Sequence, residues 1–466
     1  MASQNTTSNN ASSVDGQERE GFSSRLGFLL ISAGCAIGLG NIWRFPYITG
    51  QYGGAAFVLM ILFFLVVLGV PLLVMEFSVG RASHRSTARS FNALEPRGSK
   101  WHWFKWFTLV GNYVLMMFYT SVCGWMVAYL FKTGIGTFDG THDIPTVFSS
   151  MIGDPVEMAG WMLLVTLVGF AICAAGVQKG VERITKVMMA ALFVLMAVLC
   201  VHSCLLEGGQ EGLAFYLLPN FDNLFNNPSA SFAEILYAAM SQAFFMLSVG
   251  IGGMSIFGSY IGRDNKLTGE AVRIAGMDTL VAIMAGLIIF PACFAYGVAP
   301  DAGPDLVFLT LPAVFEQMPL GQLWGTIFFL CMAFAALSTV IAVFENILRF
   351  SMDQWDVTRK RAVAINGPLL ALLSLRFGLF CMVGHADSRH RRHPVVGRLL
   401  GFQQLPGVGR FGIRPVLYPP LWLGLEELPC RGKRRRRYGV SEVPVRLDSL
   451  RCAAADHRYF RSRMGA

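Results

Sequence analysis

Eight stretches of the chain stay apolar and uncharged long enough to cross a hydrocarbon core as a helix, which takes about 20 residues. They cover residues 26–43, 55–75, 106–131, 158–177, 187–206, 235–261, 279–299 and 323–344, and a ninth begins at 362 and stays apolar to 375. A single run of this kind reads equally well as a buried core helix. Eight in succession do not, so the pattern predicts an all-α polytopic membrane protein.

The polar segments between the runs carry an orientation signal. Arg81, Arg85, Arg89, Arg97, Lys100 and Lys105 separate spans two and three; Lys179, Arg183 and Lys186 separate four and five; Arg263, Lys266 and Arg273 separate six and seven; Arg349, Arg359, Lys360 and Arg361 follow span eight. The alternate loops are nearly free of basic residues and carry acids such as Asp154, Glu207, Glu211 and Asp222. Basic loops stay cytosolic, which places the N-terminus in the cytosol of a cell whose plasma membrane holds the protein. Residues 1–24 are rich in Ser and Asn and lack the apolar core of a cleavable signal, so they read as a disordered cytosolic tail.

Two spans are poor helices. Between Ser32 and Asn41 glycine recurs at Gly34, Gly38 and Gly40, and the sixth span carries Ser248, Gly250, Gly252 and Gly253 behind Gln242 and Phe245. Each glycine weakens a helix by roughly 1 kcal/mol against alanine, and Asn41 has no partner in lipid. Unwound backbone is tolerated at membrane depth only where it lines a cavity, and its free carbonyls and amides then become ligands. Glycines that merely let helices pack closely are the alternative for either span alone. The two spans open two successive sets of five and run in opposite directions, the signature of an inverted-repeat transporter. The predicted division is a first repeat at 25–206, an extracellular loop at 207–231 and a partial second repeat at 232–375.

Composition adds a second division. The 466 residues are 54% apolar and 14% charged, with a formal charge of +9. Residues 1–375 carry a net of −3 and residues 376–466 a net of +12. Seventeen of the 18 basic residues after 375 are Arg, seven prolines fall there, and no apolar run there can cross a bilayer. A metal site at His385, His390 and His393, or a nucleic-acid patch at 431–437, has no fold pattern around it. A reading-frame shift near codon 376 explains an Arg-, Pro- and Gly-rich segment without periodicity, and it leaves the second repeat incomplete. The seven cysteines before 376 lie in apolar runs without a CxxC pair, against a metal cluster or disulfide framework.

The string from Arg25 through Asn41 to Arg44 and Pro46, with the segment from Gln242 to Gly253, resembles the neurotransmitter:sodium symporter family, its bacterial amino-acid transporters most of all. The resemblance covers residues 19 to 375. It implies a sodium-dependent symporter for an amino acid, working by alternating access, with no covalent chemistry. It further implies two sodium sites. The first takes the Ala36 carbonyl, Asn41 and Asp278; the second takes the carbonyls of Gly34, Ile37 and Ala335 with the hydroxyls of Ser338 and Thr339. The implied substrate pocket takes backbone from Cys35, Ala36, Leu39 and Gly40 and side chains from Leu115, Tyr119, Phe245, Ser248, Ile251, Thr339 and Val343. Tyr119 binds the substrate carboxylate and Phe245 closes over it. Arg44 belongs to an outer gate, and Arg19 and Asp353 to an inner one.

Two departures from the family pattern bear on the first sodium site. Met246 replaces a hydroxyl ligand with a thioether, a weak acceptor. Asp278 replaces an amide with a carboxylate, which is expected to stand in for the chloride that animal members need. Other readings of the same chain are a ligand-binding receptor that does not transport, an intramembrane enzyme using His202 or Glu345, and an inactive truncated product. The expected partners are an amino acid and the bilayer, and no nucleic acid.

Overall fold

In a computed structural model the described residues are 24–138, 144–227, 230–262, 265–298 and 306–386, with side chains to 378. All belong to one of the two units into which the chain divides, Met1–Trp422. Their regular structure is all helical, with no strand among them.

The first span is a bent pair, α1 (Arg25–Ala36) and α2, which begins as a π-turn at Gly40 and ends at Gln51; the halves meet at 51°. Then come α3 (Ala55–Ser83), a short amphipathic α4 (Thr87–Leu94), α5 (Trp101–Gly134), α6 (Ile144–Gly153), α7 (Pro155–Ala174) and α8 (Val177–Cys204). Two short helices, α9 (Gln210–Leu217) and α10 (Asp222–Phe225), lead to the second broken span, α11 (Phe232–Met246) and α12 (Gly253–Gly258). The chain continues through α13 (Leu267–Ala295), α14 (Thr310–Gln317), α15 (Gly321–Trp355) and α16 (Arg359–Ala386).

Six unbroken helices and the first bent pair are long and apolar enough to cross a membrane. Neither half of the second broken span passes that test alone. At 28 residues α16 reaches spanning length, and it continues unbroken past Leu375, the expected boundary, to Ala386. The fifth span also differs from its apolar run: α8 starts at Val177, ten residues before 187, because Lys179, Glu182 and Lys186 are helical too. These charges sit at the helix end, where Lys186 pairs with Glu182 at 2.5 Å.

The interior is built around α15. Its most apolar window is 78% buried, against 33% for α3, α7 and α8. Composition explains the difference: Ala335, Ala336, Ser338, Thr339 and Ala342 keep α15 thin enough for α1, α5 and α8 to pack on it. Leu59, Phe63 and Val66 of α3 instead face outward, as lipid-facing side chains do.

Candidate transport site

The first break spans residues 37–39, where glycine is required by close approach. A Cβ on Gly38 would lie 2.4 Å from the Tyr119 hydroxyl oxygen and 2.6 Å from Thr339 Oγ1, and one on Gly40 would lie 2.7 Å from the Phe245 ring. The backbone groups freed by the break find side-chain partners on other helices. The Leu39 N–H donates to the Tyr119 hydroxyl at 3.0 Å, Ser248 Oγ donates to the Cys35 carbonyl at 3.0 Å, and Gln242 Nε2 donates to the Gly40 carbonyl at 2.8 Å. Buried backbone groups need such partners, so the break is held open by specific donors and acceptors.

The second break, residues 247–252, turns through three left-handed residues, Ser248 (φ 50°), Gly250 (φ 98°) and Gly252 (φ 74°). Its Gly250 N–H donates to Glu76 Oε1 of α3 at 2.5 Å, and its Ile251 carbonyl accepts from Asn112 Nδ2 of α5 at 3.0 Å. Glu76 thus braces one broken span from a neighbouring intact one.

Two oxygen clusters flank the first break. In one, Asn41 Nδ2 donates to the Asp278 carbonyl at 3.0 Å and to Asp278 Oδ1 at 2.7 Å, and both residues are fully buried. Asp278 Oδ2 is buried and has no hydrogen bond among the described residues. Met246, at the end of α11, is buried and adds no oxygen. In the other cluster, Ser338 Oγ lies 3.0 Å from the Gly34 carbonyl oxygen, and Thr339 Oγ1 lies 3.3 Å from those of Gly34, Ile37 and Ala335. An orphaned carboxylate oxygen in one and converging neutral oxygens in the other both suit a hard monovalent cation.

Beyond the first break Arg44 Nη1 donates to Gln242 Oε1 at 2.6 Å, and the guanidinium lies 5.4 Å from the Phe245 ring centroid. On the other side Asp353 Oδ2 accepts from the Ser86 N–H at 2.9 Å, at the start of α4, while Arg349 lies over the Tyr260 ring at 5.9 Å. Arg19, the expected partner of Asp353, lies outside the described residues. Leu115, Ile251 and Val343 sit on α5, the second break and α15. Glu345 is held at both oxygens by Arg359, at 2.7 and 2.8 Å, and His202 stacks on Trp324 at 3.7 Å, an arrangement of an ion pair and a ring pair rather than of an acid and a nucleophile.

Gln242, Glu76 and Asn112 bond to the two breaks but receive no role from sequence reasoning. Glu76 follows directly on the second apolar run and Asn112 interrupts the third, so a polar residue at membrane depth was the available signal.

Two helices broken at matching places, with carbonyls, hydroxyls and a buried carboxylate gathered at the breaks, define a secondary transporter of the inverted-repeat kind. The described residues hold the first five spans and four members of the second set. A model of the sodium:neurotransmitter symporter family matches residues 19–138 and 146–385, and the chain belongs to that family, one of sodium-coupled transporters rather than enzymes. The match runs past 375 to 385, so the family pattern persists through most of α16. The chain is 36% identical over 356 residues to "Uncharacterized sodium-dependent transporter YhdH" of Bacillus subtilis (strain 168), covering 76% of this chain and 77% of that protein. It is 27% identical to the sodium-dependent serotonin transporter of Drosophila melanogaster, over 79% of this chain and 64% of the fly protein. Among solved structures, MhsT in complex with L-phenylalanine matches with a TM-score of 0.73 and 36% identity, covering 87% of this chain and 88% of that one.

Proposed function

We propose that this chain is a symporter that carries an amino acid across the plasma membrane into the cell with sodium, its N-terminus in the cytosol. The observation that carries the reading is the Tyr119 hydroxyl meeting the Leu39 N–H at the first break, between the Asp278 and Thr339 oxygen clusters. The Tyr119 hydroxyl keeps a proton to donate and suits a carboxylate, and the carbonyls of the unwound segment suit an ammonium group. The phenylalanine bound to MhsT supports an amino acid as the cargo.

Two sodium ions are carried as co-substrates. One is taken by Asn41, Asp278 and the Ala36 carbonyl, with the cargo carboxylate as a further ligand. The other is taken by the carbonyls of Gly34, Ile37 and Ala335 and the hydroxyls of Ser338 and Thr339. Phe245 and Arg44, braced by Gln242, close the outer side over the cargo; Asp353 and Arg19 close the inner side. Sodium and cargo occupying both breaks draw the two repeats together, and inward release follows when the inner pair opens. Asp278 supplies a fixed negative charge, so chloride is not needed.

The test is uptake of labelled amino acids into proteoliposomes holding the full 466-residue chain. Accumulation under an inward sodium gradient, and none under potassium, is expected. Sodium-dependent binding without uptake would replace the transporter with a receptor, and neither binding nor uptake would mark an inactive product.

A further inference from the structure

The amides of Asn112 on α5 and Asn346 on α15 form a buried pair that the sodium and carboxylate roles leave unused; each residue is 3% exposed. Asn112 Nδ2 donates to the Thr108 carbonyl at 2.6 Å and to the Ile251 carbonyl at 3.0 Å. Both partners are acceptors only, so the orientation of this amide is fixed and its oxygen must accept. It accepts from Asn346 Nδ2 at 3.0 Å, which fixes the second amide in turn. Both N–H groups of Asn112 are now used. Asn346 keeps a second N–H and its side-chain oxygen, and among the described residues neither has a hydrogen-bond partner. The Asn346 oxygen is not among the enclosed unpaired atoms of the described residues, so it meets open space that water or a ligand group can fill.

The position of Asn346 indicates what does so. A Cβ placed on Gly253 would lie 3.7 Å from Asn346 Nδ2, 3.9 Å from Cys35 Sγ and 3.9 Å from Ile251 Cγ1, so the amide shares the surroundings of Gly253 with two residues assigned to the substrate pocket. Along α5, Asn112 stands seven residues from Tyr119; along α15, Asn346 stands seven from Thr339. Each step is two helical turns, about 10 Å along the axis. Tyr119 and Thr339 converge on Gly38, and Asn112 and Asn346 converge on one another. One pair thus marks the carboxylate end of the cargo, and the other lies where a long side chain would end.

We propose that Asn346, oriented by Asn112, recognises a hydrogen-bonding group at the far end of the substrate side chain. The cargo is then an amino acid with a long, mainly apolar side chain that ends in a hydroxyl or N–H group; Leu115, Ile251 and Val343 contact its apolar body. This inference rests on the amino-acid reading of the site. A pocket built to hydrogen-bond a substrate group discriminates strongly against an analogue that lacks it, because its own buried polar atoms are then left unpaired.

L-tyrosine and L-phenylalanine differ by one hydroxyl and provide the probe. Sodium-driven uptake of each into proteoliposomes is measured for the wild-type chain and for Asn346→Leu, which keeps the volume and removes the polar atoms. Wild type is expected to favour tyrosine by at least about tenfold in apparent affinity. Asn346→Leu is expected to lose that preference while still taking up phenylalanine with sodium. Equal affinities in the wild type, or a preference unchanged in the variant, would overturn the proposal and leave amino-acid transport standing. If the variant does not fold, the wild-type ratio alone decides. No uptake of any amino acid would overturn the cargo reading itself.

Discussion

The two oxygen clusters beside the first break are made of different materials. Around Asp278 a carboxyl group meets a single amide, Asn41, and one carboxyl oxygen is left without a hydrogen bond among the described residues. Around Ser338 and Thr339 every oxygen is neutral and has a neighbour within 3.3 Å. A charged ligand set binds a cation through field strength and is costly to leave buried when the cation departs. A neutral set depends on the geometry of one turn of α15 against one unwound turn of α1. In the proposed symporter the first cluster governs charge balance during transport, and the second reports how closely the two segments approach.

The largest test of that contrast is Asp278→Ala, which removes the charge and leaves the Asn41 amide without its acceptor. Sodium-driven uptake is expected to fall to about a hundredth of wild type or less, the loss that follows from stripping one partner out of a buried polar pair. Asp278→Asn sharpens the point: its uptake should persist with chloride present and fall to about a tenth when gluconate replaces chloride. Uptake by this variant that ignores chloride would show that the carboxylate does not stand in for the anion. A smaller effect is expected at the neutral cluster. Ser338→Ala with Thr339→Val removes two neutral ligands and should raise the half-saturating sodium concentration about tenfold, with chloride independence unchanged. The smallest effect lies away from both clusters. Ser231 caps α11 in a reciprocal box with Glu234, so Ser231→Ala should lower stability by about 1 kcal/mol, read as a lower melting temperature, and leave sodium dependence intact. A change in sodium affinity there would mean that the first half of the sixth span and the two oxygen clusters are coupled.

Much of this contrast is legible in the sequence, because each cluster is concentrated in short segments. The glycines that break the first span and Asn41 at its far side are local features with a local physical reason, whereas Asp278 and the run from Ala335 to Thr339 enter only through the family resemblance. The braces are not local. Glu76 reaches Gly250 and Gln242 links Gly40 to Arg44, and each pairing joins residues well over 100 positions apart. Periodicity carries no information about such pairings. The same limit hid the amide pair of Asn112 and Asn346, which are 234 positions apart. Apolar runs also misplace helix ends. Charged residues continue a helix without continuing its hydropathy, as Lys179 and Glu182 do in α8 and Arg376 does in α16.

The most direct measurement is a sodium titration of labelled amino-acid uptake by the full chain in chloride-free gluconate medium, with an inward sodium gradient as the sole driving force. Accumulation above the external concentration, saturating with sodium and unchanged when chloride is restored, is the expected result. Uptake that proceeds equally without sodium, or that requires chloride, would contradict the assignment of Asp278 and the broken helices to a sodium-driven, chloride-independent site.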